Sequence, residues 1–321
     1  MFPLSPLLLL ALTTPLLKNL TTTYIHAQTS GTPSLLPLTP TTLYTENTLP
    51  LPLTSTLLTT PLRIDAHRSL HDPVLCGSFT ELIVATSAHQ YVIGTRMLLA
   101  TNGTVESVES IVTEKGDWAF DAGGYLYWSS FEDWDPIPIP QRDSRAVIKA
   151  AGDAYFNRFS NPNITIPFSS LCARLEGGLY TSRSPNLTAN TCSLGLPSNT
   201  RVSDRRYVVD EEVGAVDIYL GFMGLDRSHV LEAVPDSHLF RVERGGIRYI
   251  HTLSRCLERG CGMNGTGMPL FERGGDGRGV NGTAVFDRDA GGVSGNGTSV
   301  TRARGVRRTL RERRIMPFPR F

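Results

Sequence analysis

Two glutamates occupy matching positions in two proline-led segments of the chain. Pro37 precedes Glu46 by nine residues, and Pro167 precedes Glu176 by the same distance. A carboxylate enclosed by apolar walls loses hydration in its charged form, which raises its pKa towards the range useful for moving a proton. Both glutamates are therefore candidate catalytic bases. A turn residue follows each of them, so a structural ion pair or a turn-capping carboxylate is the alternative interpretation.

Two polar side chains stand close to these glutamates. Tyr44 and Arg174 come two residues before Glu46 and Glu176, on the same face of an extended strand. A phenol or a guanidinium in that position could polarise a carbonyl or bind an anionic substrate. We therefore take both as candidate substrate-binding residues.

A second set of polar residues lies further along the chain. Asp204 and Arg206 share one face of a predicted strand and could hold a carboxylate, although a cross-strand salt bridge explains them equally well. His251 lies in the last predicted strand and could act as an acid or base near neutral pH. A single histidine in a strand is more often only half-buried, with no chemical role.

The chemistry open to these residues needs no cofactor. The sequence has no Cys-X-X-Cys pair, and its seven histidines lack the spacing of metal ligands. A Gly-rich phosphate loop, a nucleophile elbow and a His-Glu-X-X-His motif are also missing. We expect neither a metal nor a cofactor, and a small molecule as ligand or substrate.

The first 27 residues have the composition of a signal peptide. Their apolar core, around residues 7–12, is too short to span a bilayer, and a cut after Ala27 fits the cleavage pattern. Lys18, however, follows the apolar core instead of preceding it, and a buried N-terminal helix is the alternative. No other stretch approaches 18 apolar residues, so we expect no transmembrane anchor.

Glycosylation sequons and cysteines also indicate the secretory pathway. Cys172 and Cys192 enclose a loop that carries a sequon, and Cys256 and Cys261 could close a second loop and leave Cys76 unpaired. Other pairings remain open, because five cysteines permit several. The sequons outside the leader are Asn102, Asn163, Asn186, Asn264, Asn281 and Asn296.

The composition is that of a globular protein whose C-terminal segment differs from the rest of the chain. Hydrophobic residues make up 40% of the 321 residues, charged residues 19%, and the formal net charge is +1. Residues 262–321 are rich in Gly and Arg without periodicity, and we interpret them as a disordered tail. Eight arginines and one acid fall within residues 301–321, a charge run typical of a solvated tail. We expect no nucleic-acid partner, and the sequence does not indicate an oligomeric state.

Periodicity predicts the elements that position these residues. Alternating residues over 91–99 and 105–112 flank Asn102-Gly103, which predicts a β-hairpin. Ser144 is expected to cap a helix over 145–159, after an extended linker over 133–140. Strand patterns between residues 205 and 253 predict a second antiparallel sheet.

The segments repeat along the chain. Residues 43–47 align with 173–177 at an offset of 130, and the hairpin at 99–108 aligns with 241–250 at an offset of 142. Each copy places an acid early and a hairpin late. The repeat predicts an α+β fold with a first half over 28–140 and a second half over 141–261.

These segments resemble a group of secreted fungal proteins of unassigned function that contain two nuclear transport factor 2-like halves. The superfamily includes ketosteroid isomerases and polyketide cyclases. The resemblance implies two cone-like curved antiparallel sheets with packed helices. Here the helix expected before Pro37 is missing unless the apolar leader supplies it. The residues that carry the resemblance are 44–47 with 51–53, 131–145, 172–177 and 204–212.

The resemblance implies a function in one of two classes. The first is a cofactor-independent isomerase, cyclase or dehydratase of fungal secondary metabolism, similar to the ketosteroid isomerase-like proteins of maleidride pathways. Glu46 or Glu176 would be its base, with Tyr44, Arg174 and Arg206 orienting the substrate. The second is a non-catalytic secreted glycoprotein that binds a small ligand.

Overall fold

The fold contains three helices and twelve strands in the part of the chain that the computed structural model describes. That part covers residues 6–261 except 199, 227, 228 and 230, with side chains from residue 13 onward. The helices are α1 (Pro6–Ser30), α2 (Ala122–Ser129) and α3 (Arg145–Ser160). The strands are β1 (Leu43–Glu46), β2 (Leu49–Pro50), β3 (Ala66–Asp72), β4 (Gly77–Val84), β5 (Tyr91–Leu99), β6 (Val105–Thr113), β7 (Phe168–Glu176), β8 (Leu179–Tyr180), β9 (Val202–Asp210), β10 (Ala215–Met223), β11 (Ala233–Glu243) and β12 (Gly246–Ser254).

The strands form two sheets with one topology. The first sheet has the order β2-β1-β6-β5-β4-β3, and the second has the order β8-β7-β12-β11-β10-β9. In each sheet one pair is parallel, β1 with β6 and β7 with β12, and the other neighbours are antiparallel. The register is conserved as well, because Glu46 pairs with Leu49 and Glu176 pairs with Leu179. The internal repeat and the α+β class predicted from the sequence are both confirmed. The prediction of antiparallel sheets is wrong in one respect, because each sheet is mixed and contains one parallel pair.

The two sheets pack face to face between the two long helices. Alternation along each strand sends one set of apolar side chains to a helix and the other set to the opposite sheet. In β4, for example, Leu82 lies in the cluster that contains α1, whereas Phe79 and Ile83 lie in the cluster shared with the second sheet. In β10, Ile218 packs towards α3 and Tyr219 towards the first sheet. The result is four layers: α1, first sheet, second sheet, α3.

The apolar leader forms the helix that covers the first sheet. Leu17, Leu20, Tyr24 and Ala27 follow one another at i, i+3, i+7 and i+10, and each is almost fully buried against that sheet. The Tyr24 hydroxyl shares a hydrogen bond of 2.7 Å with Thr95 Oγ1 in β5. A cut after Ala27 would remove all of these contacts, and such processing stays a prediction.

Ser144 caps α3 as the sequence predicts. Its side chain accepts a hydrogen bond from the backbone N–H of Val147. The helix buries Ile148, Tyr155 and Phe159 against the second sheet. The hairpin around Asn102-Gly103 is also confirmed, since Ala100 and Thr104 close the turn by a backbone hydrogen bond of 2.9 Å.

Two disulfides join the cysteine pairs expected from the sequence. Cys172 pairs with Cys192, with their Cα atoms 5.4 Å apart, and Cys256 pairs with Cys261 at 5.5 Å. Cys76 is free. Disulfides of this kind are typical of proteins that fold in an oxidising compartment.

Truncating a buried side chain of α1 should destabilise the protein. Leu17→Ala removes a side chain with no solvent exposure, so we expect the free energy of unfolding to fall by about 2 to 4 kcal/mol. Leu16 is 45% exposed on the same helix, and Leu16→Ala is the matched control, with an expected loss below about 0.5 kcal/mol. Urea denaturation of the two variants measures the difference. Equal, near-zero effects would mean that the mature fold does not use this helix.

Candidate functional site

Glu46 lies on the helix-covered side of the first sheet, at the end of β1. Its Oε2 atom accepts hydrogen bonds from the Tyr44 hydroxyl at 3.2 Å and from the backbone N–H of Leu57 at 3.0 Å. Tyr44 is 6% exposed, and burial, together with the nearby Glu46 charge, raises the pKa of its phenol above the usual range. A glutamate with two such donors ties the loop after β2 to the sheet.

Glu176 occupies the equivalent position in the second sheet. Its Oε1 atom pairs with Arg174 Nε at 2.8 Å. The same guanidinium donates to the backbone oxygens of Cys192 at 2.8 Å and Leu194 at 2.5 Å. Arg174 therefore holds the disulfide-closed loop against β7. These contacts match the structural ion pair that was the alternative interpretation of Glu176.

A cluster of charges is buried between the two sheets, and we call it the buried cluster. His251 in β12 lies between two carboxylates, with Nδ1 at 2.9 Å from Glu81 Oε1 and Nε2 at 2.5 Å from Glu132 Oε2. Arg68 in β3 donates to Glu81 Oε2 at 2.7 Å, and the Tyr125 hydroxyl donates to Glu81 Oε1 at 2.7 Å. The cluster joins both sheets and the segment between β6 and α3.

The charges of the buried cluster stabilise one another. Burial by itself would lower the pKa of His251, but the charges of Glu132 and Glu81 raise it to about 9. Burial would raise the pKa of Glu81, but the charges of His251 and Arg68 lower it to about 2. At neutral pH, His251 is thus an imidazolium and Glu81 a carboxylate.

The segment between β6 and α3 covers the buried cluster. It enters beside the turn after Glu176, where Asp121 N donates to Gly177 O at 2.6 Å. Gly178 has a φ of 143°, and a Cβ there would lie 2.3 Å from Asp121 O, so only glycine permits this approach. Further on, the Trp134 indole N–H donates to Glu132 Oε2 at 2.9 Å and its ring lies 4.3 Å from the Arg68 guanidinium carbon.

An open cleft of about 320 Å³ lies at the other end of the sheet-to-sheet interface, and we call it the interface cleft. Both sheets contribute to its lining, since four of its residues come from the first half and three from the second. The residues that line it are Thr45, Thr48, Glu109, Ser110, Asp204, Arg206 and Tyr219.

The charges of the interface cleft are paired across the two sheets. Glu109 in β6 pairs with Arg206 Nε of β9 at 2.9 Å and with the guanidinium of Arg96. The Arg206 guanidinium carbon lies 5.9 Å from the centre of the Tyr219 ring. About one third of the Arg206 side chain, 34%, remains exposed. The cleft therefore offers a partly open guanidinium, carboxylates and hydroxyl groups to a ligand.

The structure distributes the predicted site residues over four places. Asp204 and Arg206 line the interface cleft, as their shared strand face suggests. Glu46 and Glu176 occupy corresponding positions of separate sheets, with Tyr44 and Arg174 as their hydrogen-bonding or ionic partners. His251 is 1% exposed in the buried cluster, so it is not a half-buried strand histidine.

Sequence reasoning missed the residues that complete the cleft and the cluster. Glu81 stands between Phe79 and Ile83 on one face of an apolar strand, which is a signal for a buried charge. Glu109 corresponds to His251 at the hairpin offset of 142, so the repeat itself could have identified it. Glu132 offered no comparable signal, because its place depends on how a linker folds back.

Three of the predicted sequons can be located. Asn102, Asn163 and Asn186 are exposed, whereas Asn264, Asn281 and Asn296 lie outside the described residues, as does the predicted tail over 262–321. Within residues 6–261, apart from the four omitted positions, no group of three His, Cys, Asp or Glu side chains is placed to hold a metal ion. None of the helices described has both the length and the apolar character needed to cross a membrane.

One family model matches the second half of the chain. Residues 141–254, from just before α3 to the end of β12, match a family described as a domain of unknown function (DUF8021). No curated protein matches the chain. Among solved structures, the chain is similar to a protein of unknown function with a cystatin-like fold from Methylobium petroleophilum PM1. The two are 13% identical, with a TM-score of 0.27, over 36% of this chain and 81% of that one.

The buried cluster should make stability depend on pH on the alkaline side. The pKa of His251 is raised in the folded state from 6.5 to about 9, so its stabilising contribution is complete below pH 6.5 and is lost as the pH rises through about 9. We expect the free energy of unfolding to fall by on the order of 3 kcal/mol over that range. His251→Gln should abolish this part of the pH dependence. Denaturant titrations from pH 6 to 10 measure it, and parallel profiles for wild type and variant would contradict the charged state of His251.

Proposed function

We propose that the protein binds a small polar ligand in the interface cleft without converting it. The observation that carries this proposal is the cleft itself, an opening of about 320 Å³ to which both sheets contribute. Small-molecule recognition usually depends on a small number of polar groups held at fixed positions in a concave site. Arg206, Glu109 and Asp204 would supply them here.

The contacts of the candidate bases favour binding over catalysis. Glu46 accepts two hydrogen bonds from within its own half, and Glu176 is paired with Arg174. A general base must reach the proton that it removes, and both of these carboxylates are engaged by groups of their own half. In the interface cleft, Glu109 is paired with Arg206 and Arg96, and the Arg206 side chain keeps 34% of its surface exposed to a ligand.

We also propose that each half is a cone-shaped nuclear transport factor 2-like fold. The parallel pairing of β1 with β6 and of β7 with β12, with a helix on one face of each sheet, supports this in both halves. An experimental structure with flat sheets would contradict it.

A second candidate function is the cofactor-independent isomerase or cyclase of the sequence analysis. A chain of hydroxyl groups favours it: Tyr24, Thr95 and Ser110 are linked by hydrogen bonds of 2.7 and 2.9 Å inside the apolar core beneath α1. Tyr44 and Glu46 lie in the same half, joined by their own hydrogen bond. A phenol beside a carboxylate in an apolar interior can stabilise an enolate oxygen while the carboxylate moves a proton.

Ligand binding should depend on Arg206. In a ligand-observed NMR screen of polar fragments, Arg206→Ala should weaken the hits of the wild type at least fivefold, because it removes the open cation of the cleft. Arg205→Ala is the matched control: Arg205 points to the opposite face of β9, where it pairs with Asp153 at 2.9 Å. Equal affinities for both variants would place the binding elsewhere.

The catalytic candidate predicts a different result. If Glu46 is the base, Glu46→Gln should lower product formation in a reconstituted biosynthetic pathway at least 100-fold while the fold is kept. Glu176→Gln tests the second half in the same assay. Unchanged product with both variants would exclude these glutamates as bases.

We propose further that the protein is a glycoprotein of the secretory pathway. The two disulfides and the exposed Asn102, Asn163 and Asn186 support this. Treating the protein from a eukaryotic secretion host with an N-glycosidase should increase its gel mobility. Replacing those three asparagines by glutamine should reduce the shift, and an unshifted wild-type band would count against the proposal.

A further inference from the structure

The buried cluster and the interface cleft occupy equivalent positions of the internal repeat. In the second sheet, His251 pairs in register with Leu175, and in the first sheet Glu109 pairs with Thr45. The offsets are those of the sequence repeat, 142 for the histidine and glutamate and 130 for their partners. His251 and Glu109 are thus the same position of the two halves.

In each place, a register pair from β3 and β4, or from β9 and β10, approaches from the opposite sheet. His251 meets Glu81, which pairs in register with Arg68 on the neighbouring strand. Glu109 meets Arg206, which pairs in register with Tyr219. In both places an arginine of the edge strand, β3 or β9, closes the arrangement.

The two places differ in what covers them. In the buried cluster, the Trp134 ring stacks on the guanidinium of Arg68, and the Glu132 carboxylate forms a hydrogen bond with His251. Arg68 keeps only 15% of its side chain exposed, against 34% for Arg206. Among the described residues, this cover comes from the segment between β6 and α3, and the interface cleft remains open.

We propose that the interface cleft takes a planar aromatic ligand that carries hydrogen-bond donors, such as a phenol. This rests on the proposed binding function and names the class of ligand. The ring would stack on the partly exposed Arg206 side chain, as Trp134 stacks on Arg68. The hydrogen-bond donors of the ligand would donate to Glu109 and to the threonine hydroxyls, as the His251 ring does to the carboxylate of Glu132.

The change from His251 to Glu109 decides the polarity of the ligand. An imidazolium donates hydrogen bonds and is covered by an acceptor, Glu132. A carboxylate only accepts, so a ligand group that contacts Glu109 must donate. Arg96 and Arg206 already balance Glu109 and Asp204, so a neutral ligand leaves the cleft without net charge. Guanidinium groups stack on aromatic faces, and the interaction contributes more where water is excluded.

Three small probes of similar size test this inference. Resorcinol has a planar ring and two donors, 1,3-dimethoxybenzene keeps the ring without donors, and cyclohexane-1,3-diol keeps the donors without the ring. Ligand-observed NMR titration of the full chain should give an affinity for resorcinol at least fivefold higher than for either of the others. Arg206→Lys keeps the charge but removes the planar face, and should weaken resorcinol at least fivefold. Arg205→Lys should leave it unchanged.

The outcomes separate the ligand class from the binding function. If cyclohexane-1,3-diol binds as well as resorcinol and both depend on Arg206, the aromatic inference is wrong and the cleft still binds ligands. If 1,3-dimethoxybenzene binds as well as resorcinol, the requirement for donors is wrong. If the wild type and Arg206→Lys bind resorcinol with equal affinity, the inferred stacking on Arg206 is wrong. If no probe and no fragment of the wider screen binds in an Arg206-dependent way, the proposed function fails as well.

Discussion

The structure depends on the packing of the two sheets against each other, because that interface buries charges that neither half could satisfy alone. Glu81 and Arg68 come from the first sheet and His251 from the second, and all three are 15% exposed or less. Removing one partner of such a group leaves the others as uncompensated buried charges, which typically costs several kcal/mol. The charged pairs therefore fix how the sheets meet, while the apolar residues around them supply most of the free energy of association.

The same packing explains why one repeat yields two different places. In each half, a central residue of the last strand faces the edge strand of the other half. These residues are Glu109 in β6 and His251 in β12. At one end, the segment between β6 and α3 covers His251 with Glu132 and Trp134. At the other end, Glu109 and Arg206 remain beside an open cleft. Within the described residues, the two equivalent places therefore differ, because one is covered and the other is open.

Much of the fold could be predicted from the sequence, because it follows from local patterns. Short-range sequence patterns predict the hairpin at Asn102-Gly103, the helix cap at Ser144 and the strands of the second sheet. The repeat gave the common topology of the two halves, and the shared face of Asp204 and Arg206 follows from alternation.

The rest depends on contacts between distant segments. The N-terminal apolar stretch has the composition of a signal peptide, and only its packing against β4 and β5 reveals a core helix. Glu46 and Glu176 looked alike as candidate bases, but their partners, the Leu57 amide and Arg174, differ. The buried cluster needed Glu132, whose position is set by a linker that folds back between the halves, and no local pattern predicts such a contact.

Differential scanning calorimetry of the full chain tests most directly whether the two halves share one interior. A common core predicts a single unfolding transition, with a calorimetric enthalpy equal to the van't Hoff enthalpy. Two separate transitions, or a van't Hoff enthalpy near half of the calorimetric value, would show that the halves unfold independently and would contradict the account.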